Sequence, residues 1–211
     1  EYSVAVVRGD GGATGSVFSD ALVAEVAASS ANLVFLVGAL TPDGQPASYA
    51  ALDAQWADVS APVFYCPDEG EAARSRAAGM TVASDYALSF GEDGYMIFGA
   101  GLSHADVEVD GRMGAIHRWR RALRPSRWSV GVAGRFGLDW SIRSQLVLFV
   151  DDPLDYIVTG ETLAGVHETL PWGRTRYAIP PTAPVLPLQL ITVDSGAMRA
   201  VMAPEVSELP E

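Results

Sequence analysis

The sequence predicts an α/β domain, and three observations lead to this fold class. Short apolar runs rich in β-branched residues recur along the chain, and several are apolar on successive residues, as expected of strands covered on both faces. Segments whose apolar residues recur at helical spacing lie between the first three of these runs. With 211 residues, 49% of them hydrophobic and 19% charged, the chain is long enough for one packed domain and lacks the composition of a disordered protein.

The first half of the chain alternates predicted strands and helices. Strands are predicted over residues 4–7, 33–37 and 63–66, and helices over 16–29, 45–58 and 68–79. In the second helix Tyr49, Leu52 and Trp56 stand at helical spacing. The third opens with a D-x-x-E pattern, Asp68 to Glu71, in which both carboxylates can cap backbone N–H groups. This alternation favours right-handed crossovers and a largely parallel sheet.

After about residue 80 the predicted strands come closer together and their order looks mixed. Strands are predicted over 95–98, 146–150, 156–158 and 188–193, and a basic helix over 111–124. Residues 170–187 contain prolines 171, 180, 181, 184 and 187 and are predicted to be an extended connection. No linker separates two units, so we expect a single domain over 1–211, with a flexible tail from about residue 203.

Composition excludes several classes of function. The net charge of −12 and the pI of about 4.5 argue against a nucleic-acid-binding surface, which needs a basic stripe. No apolar run approaches the ~20 residues that cross a bilayer, so no membrane insertion is expected. Cys66 is the single cysteine, which excludes an intrachain disulfide and a Cys-based zinc site. The sequence identifies no compartment; we expect a soluble protein, with the cytoplasm slightly favoured.

The predicted strands end in polar or glycine-rich loops. Ligands of open α/β sheets bind beyond the carboxyl ends of the strands, so these loops are the candidate site. The loops are RGDGG (8–12), GALTPDG (38–44), PDEGE (67–71), DDP (151–153) and GETL (160–163).

These five loops, in this order, resemble the strand ends of calcineurin-like metallophosphoesterases over residues 4 to 195. In that family the strand ends carry D-x-H, G-D, G-N-H-[DE], a histidine often within H-H-P, and G-H-x-H. The resemblance implies one domain with the fold of a four-layer α/β/β/α sandwich with mixed sheets.

The resemblance also implies where metal ligands would stand, and this sequence departs from the family at each position. The vestigial positions are Gly9 and Gly11 (D-x-H), Ala39 (G-D), Glu69 and Gly70 (G-N-H), Asp151 or Asp152 (H-H-P), and Glu161 and Leu163 (G-H-x-H). A shift of one residue in the first loop would align Asp10 but no histidine. Two metal ions about 3.5–4 Å apart need a bridging carboxylate and further donors on both sides. The sequence therefore predicts a pseudoenzyme with no catalytic residue, no metal and no cofactor.

Two other functions remain open at this point. A rebuilt phosphoesterase site could hold Ca²⁺ or Mg²⁺, because hard cations prefer carboxylate oxygens. The candidate side chains are Asp10, Asp68, Glu69, Glu71, Asp151, Asp152 and Glu161. The favoured interpretation is helix capping for Asp68 and Glu71, and solvated loop charge for Asp151 and Asp152. The third function is nucleotide binding by the loop Gly9–Gly15, which fits a loose G-x-x-G-x-x-G pattern.

A protein partner or self-association is the predicted mode of action. The expected docking face is acidic and comprises Asp68–Glu71, Asp151–Asp152 and Glu161, with Trp172 as an apolar anchor at its edge. The alternative docking face is the basic helix with Arg118, Arg120, Arg121 and Arg124.

Overall fold

The computed structural model of the chain describes residues 2–10, 16–80, 82, 85–98, 118–126 and 129–133, and the backbone of five later strands. Its helices are α1 (Asp20–Ala28), α2 (Pro46–Gln55) and α3 (Glu69–Ala77), and residues 118–123 are also helical. The strands before residue 134 are β1 (Tyr2–Arg8), β2 (Leu33–Gly38), β3 (Val63–Pro67), β4 (Asp85–Phe90), β5 (Asp93–Phe98) and β6 (Ser129–Ala133). The later strands are β7 (Tyr156–Thr159), β8 (His167–Thr169), β9 (Thr175–Ala178), β10 (Leu188–Val193) and β11 (Met198–Met202).

The described strands form two sheets. The first sheet has the order β11-β10-β1-β2-β3, and the second has the order β4-β5-β6-β7-β9-β8. β1, β2 and β3 are parallel, as the alternation of strands and helices predicts, whereas β10 and β11 add antiparallel neighbours. In the second sheet β5, β6, β7 and β9 are parallel, and β4 and β8 are antiparallel edge strands. Both sheets are therefore mixed.

The first sheet is buried on both faces because alternate residues of each strand point to opposite sides. Val4 and Val6 of β1 pack with Tyr95 and Ile97 of β5 between the two sheets. Their neighbours, such as Ala5, belong to a second cluster with α1 and α2. Continuous apolar strands in the sequence thus correspond to a sheet covered on each side.

The second helix packs with the stripe that its sequence predicts. Tyr49, Leu52 and Trp56 are only 6%, 4% and 3% exposed and face the first sheet. The Trp56 ring meets Phe18 edge to face at a centroid distance of 5.4 Å. The outer helical layer is therefore fixed by large side chains.

A fourth layer covers the outer face of the second sheet. A Cβ atom on Gly94 of β5 would lie 2.9 Å from Leu123 Cδ2 and 2.7 Å from Ser126 Oγ, so the helical segment 118–123 and the turn after it approach this strand closely. Leu123 is itself buried. The layers follow the order α/β/β/α, as expected.

The later part of the chain differs from its prediction in one connection and lies partly outside the described residues. The connection predicted over 170–187 contains β9, because its prolines lie outside Thr175–Ala178 and leave a short β-forming run. The predicted strand 146–150, the predicted helix residues before 118 and the tail from 203 lie outside the described residues. Among the described residues, no helix is long and apolar enough to cross a membrane.

Candidate functional site

Strands of both sheets end at one edge of the sandwich. β1, β2 and β3 run in the same direction, so Arg8, Gly38 and Pro67 end side by side. The buried thiol of Cys66 lies 3.5 Å from Val132 O of β6 and 3.8 Å from Phe98 O of β5. The carboxyl ends of β5 and β6 therefore reach the same edge, and the residues that follow the strands form the candidate site.

At the end of β1, Gly9 has no room for a side chain. A Cβ atom built on Gly9 would lie 2.1 Å from Val17 Cγ1 and 2.9 Å from Val17 O. Both distances are below any real Cβ contact, so Val17 fills the space that a side chain at position 9 would need. Gly9 is thus required by packing, whatever the role of the loop that follows it.

Asp10 is exposed, but its carboxylate is engaged. Ser19 donates to it from its backbone N–H (2.7 Å to Oδ1) and from its hydroxyl (2.5 Å to Oδ2). Ser19 is the N-cap of α1 and accepts a hydrogen bond from Leu22 N at 3.1 Å. Asp10 therefore supports the start of α1 by holding its N-cap residue.

The end of β2 offers no donor at the aligned position. Gly38 has φ +93°, a left-handed conformation that favours glycine. Ala39 follows it and carries only a methyl group. Gly38 O accepts a hydrogen bond of 2.9 Å from Asp68 N, which holds the ends of β2 and β3 together.

At the end of β3, Asp68 is the N-cap of α3 and accepts from Glu71 N at 2.7 Å. Glu69 and Gly70 are exposed. A Cβ atom on Gly70 would lie 3.3 Å from Asp68 Oδ1 and 3.4 Å from Arg74 Nη1, both at the ends of side chains. Position 70 can therefore accept a side chain after small adjustments, unlike position 9.

Glu71 differs from both roles expected of it. Its carboxylate does not close a capping box, because Asp68 N donates to Gly38 O instead. It does not belong to an exposed acidic face either, because the residue is fully buried. Glu71 is an internal hub that receives hydrogen bonds from Thr41 Oγ1 (2.6 Å), Tyr49 OH (2.6 Å) and Arg74 Nη2 (2.7 Å).

The Glu71 hub ties the loop after β2 to α3. Gly44 N donates to Thr41 Oγ1 at 2.8 Å, and a Cβ atom on Gly44 would lie only 2.7 Å from Ser75 N. Burial and the hydrogen bond to Glu71 raise the pKa of Tyr49 above its ordinary value, so this phenol stays protonated and continues to donate. The hub fixes the loop after β2 against α3, and its central carboxylate is buried away from any ligand.

The predicted docking residues are only partly within the described structure. Gly11, Asp151, Asp152, Glu161, Leu163 and Trp172 lie outside the described residues. On the alternative basic face, Arg118, Arg121 and Arg124 are exposed, but Arg120 is only 5% exposed. Arg120 therefore cannot contribute to that face as predicted.

Comparisons with solved structures identify the fold. A purple acid phosphatase from yellow lupin (Lupinus luteus) seeds aligns with a TM-score of 0.69 and 10% identity over 98% of this chain and 52% of that one. A dimetal phosphatase from Danio rerio aligns with a TM-score of 0.65 and 10% identity, over 94% of this chain and 95% of its own. This chain has a calcineurin-like metallophosphoesterase fold.

A third solved structure has a similar fold but aligns less well. A hypothetical protein from Thermus thermophilus aligns more weakly, with a TM-score of 0.51 and 12% identity over 99% of this chain and 100% of that chain. No family model and no curated protein sequence matches the chain. Against the lupin enzyme, this chain spans about half the length.

The metallophosphoesterase fold implies a two-metal centre. The described residues that the resemblance in sequence assigns to this centre do not fit one. Gly9, Ala39 and Gly70 have no side-chain donor, and the space beside Gly9 is filled. Within the described ranges, no three His, Cys, Asp or Glu side chains are grouped so that they could hold a metal ion. A bound metal pair needs carboxylate or imidazole donors. The carboxylates of Asp10 and Asp68 lie beside these positions, but Ser19 and Glu71 N donate hydrogen bonds to them.

Proposed function

We propose that this chain is a catalytically inactive metallophosphoesterase-like domain that acts as a binding module. The observation that carries the proposal is the residue set at three neighbouring strand ends, Gly9, Ala39 and Gly70. In metal-assisted hydrolysis the ions generate the nucleophile and stabilise the charge of the transition state. Positions 9, 39 and 70 offer no donor to such ions, and without the ions the main source of rate enhancement is missing.

Hydrolysis tests the catalytic half of the proposal. Purified chain is incubated with p-nitrophenyl phosphate and with bis(p-nitrophenyl) phosphate in the presence of Mn²⁺, and a boiled sample serves as the control. We expect no turnover above the control. Turnover that is lost in Asp151→Asn or Glu161→Gln would instead support the rebuilt carboxylate site.

For binding, we propose an acidic rim as the docking face for a cationic protein partner, and we define this rim as Asp68, Glu69, Asp151, Asp152 and Glu161. Asp68 and Glu69 lie at this rim, Glu69 is exposed, and the net charge of −12 steers cationic surfaces toward the domain. The sequence assigns Asp151, Asp152 and Glu161 to the same rim. Glu71 is not part of this face, because its carboxylate is buried in the hub.

A lysine-rich peptide is a suitable probe of this face. We expect its affinity, measured by titration calorimetry at low salt, to fall in a chain with Asp68→Asn and Glu69→Gln. Asparagine retains the N-cap, so this variant removes charge without removing the cap. The matched control is Arg118→Gln with Arg121→Gln on the basic helical segment, which should bind the peptide at least as tightly as the unmodified chain. Equal peptide affinity for the acidic variant and the unmodified chain would contradict an acidic docking face.

A further inference from the structure

Residues Ser16–Ser19, which we name the closure segment, lie against the carboxyl end of β1. The Val17 side chain fills the volume beside Gly9, with Cγ1 2.1 Å and Cβ 3.4 Å from the position of a Cβ atom on residue 9. No comparable obstruction exists at Gly70, where the nearest atoms are side-chain ends at 3.3 and 3.4 Å. Positions 9 and 70, which both lack a side-chain donor, are therefore not equivalent.

The closure segment is held in place at both of its ends. Asp10 accepts two hydrogen bonds from Ser19, at 2.7 and 2.5 Å. At the other end, Ser16 Oγ lies 2.8 Å from Gln55 Oε1, and Gln55 Nε2 donates to Phe18 O at 3.0 Å.

Between these ends the closure segment is anchored in the core. Phe18 is completely buried and packs edge to face against Trp56. The position of Val17 is fixed by hydrogen bonds to α2, by the buried Phe18 ring and by the Asp10 carboxylate. The segment is thus part of the packed structure of the outer layer.

We infer that the closure segment permanently closes the β1 end of the site and that Asp10 is the latch that holds it there. This inference rests on the proposed function and deepens it. Because Val17 fills the space at the end of β1, the domain that we propose to be metal-free could not accommodate a metal-binding side chain at position 9. Asp10, which the sequence marks as a candidate binding residue, is assigned to the latch. Its two oxygens are directed to Ser19, away from any role as a free ligand.

A double-mutant cycle tests the closure. Gly9→Ala, Val17→Ala and the double variant are compared with the unmodified chain by thermal unfolding, and Gly70→Ala is the matched control. Because Gly9→Ala forces a methyl group into filled space, we expect its melting temperature to fall by roughly 3–10 °C. Gly70→Ala should leave it unchanged or raise it, because alanine favours a helix.

The cycle also measures coupling between the two positions. In the Val17→Ala background the loss caused by Gly9→Ala should shrink to about half or less, because Cγ1 is gone and Val17 O remains the main close contact. If Gly9→Ala costs no more than Gly70→Ala, or costs the same with and without the Val17 side chain, the closure is refuted.

Amide hydrogen exchange tests the latch. We expect Asp10→Ala to speed exchange at Ser19 and Leu22 by roughly 5- to 10-fold, because the support of the N-cap is lost. Asp10→Asn keeps an acceptor and should show a smaller change, and Asp58→Ala, at an exposed position, should show none. Unchanged exchange in Asp10→Ala would overturn the role of the latch.

The two proposals can fail separately. Hydrolysis by the unmodified chain would end the proposed function while a coupled cycle would still establish the closure. An inactive chain with an uncoupled cycle would leave the proposed function intact and remove the closure.

Discussion

Replacing Glu71 with alanine should destabilise the domain more than any exposed change on the same helix. The carboxylate is fully buried and accepts hydrogen bonds from Thr41, Tyr49 and Arg74. Glu71→Ala leaves two buried hydroxyl groups and a guanidinium without this acceptor and creates a cavity. Removing one partner of a buried, hydrogen-bonded ion pair costs roughly 3–5 kcal/mol.

The structure places the expected loss at the lower end of this range. The Arg74 side chain is 40% exposed, so water can solvate part of the guanidinium once its partner is gone. We therefore expect Glu71→Ala to lower the free energy of unfolding by about 3 kcal/mol. Glu71→Gln keeps the shape and one acceptor but turns an NH₂ group toward Arg74, and it should cost about 2 kcal/mol.

Urea unfolding followed by circular dichroism measures both losses. With a slope of about 2–3 kcal/mol/M for a domain of this size, Glu71→Ala should lower the midpoint by about 1 M or more. Glu69→Ala, two residues earlier and exposed, is the matched control and should stay within about 0.5 kcal/mol of the unmodified chain. A loss below about 1 kcal/mol for Glu71→Ala would refute the hub as a stabilising centre.

Two further outcomes are expected. Burial raises the pKa of Tyr49, Tyr65 and Tyr86 above the ordinary value of 10.0. The unfolded chain therefore loses these protons first, and the free energy of unfolding should fall as the pH rises above about 10. Urea midpoints between pH 8 and 11 measure this fall, and a steeper or equal fall in Tyr86→Phe would contradict it. Gly94→Ala should lower the urea midpoint by an amount that corresponds to about 1–3 kcal/mol, because the new methyl group meets Leu123. An unchanged midpoint for Gly94→Ala would argue against the close fourth layer.

The strands and helices in the first half of the chain can be predicted from local sequence patterns. Strands covered on both faces give unbroken apolar runs, and a stripe such as Tyr49, Leu52 and Trp56 has the period of a helix. β6 (Ser129–Ala133) was not predicted because Gly131 interrupts a short apolar run. β9 was not predicted because prolines on both sides masked its β-forming residues. Both strands are stabilised by pairing with strands elsewhere in the chain, and no local sequence pattern indicates that pairing.

The sequence predicts where the candidate site lies better than it predicts the contacts within the site. The described residues that follow β1, β2 and β3 lie at one edge, as the rule for open sheets predicts. The sequence also predicts the cap at Asp68, since a D-x-x-E pattern precedes a helix. The partners of Glu71 were not predictable, because Thr41 and Tyr49 lie 30 and 22 residues away along the chain. Val17 is one apolar residue after a glycine-rich loop, and nothing in the sequence signals that it fills the space beside Gly9.

Metal content is the most direct test of the central claim. We propose that the domain shares the fold of the phosphatases but is inactive, because it lacks side chains that could bind the metal ions. Chain expressed in medium supplemented with Mn, Fe and Zn is purified without chelator, and its metals are measured by mass spectrometry per mole of chain. We expect far less than one equivalent of any transition metal, because Gly9, Ala39 and Gly70 provide no donor. Two tightly held transition-metal ions per chain would contradict it.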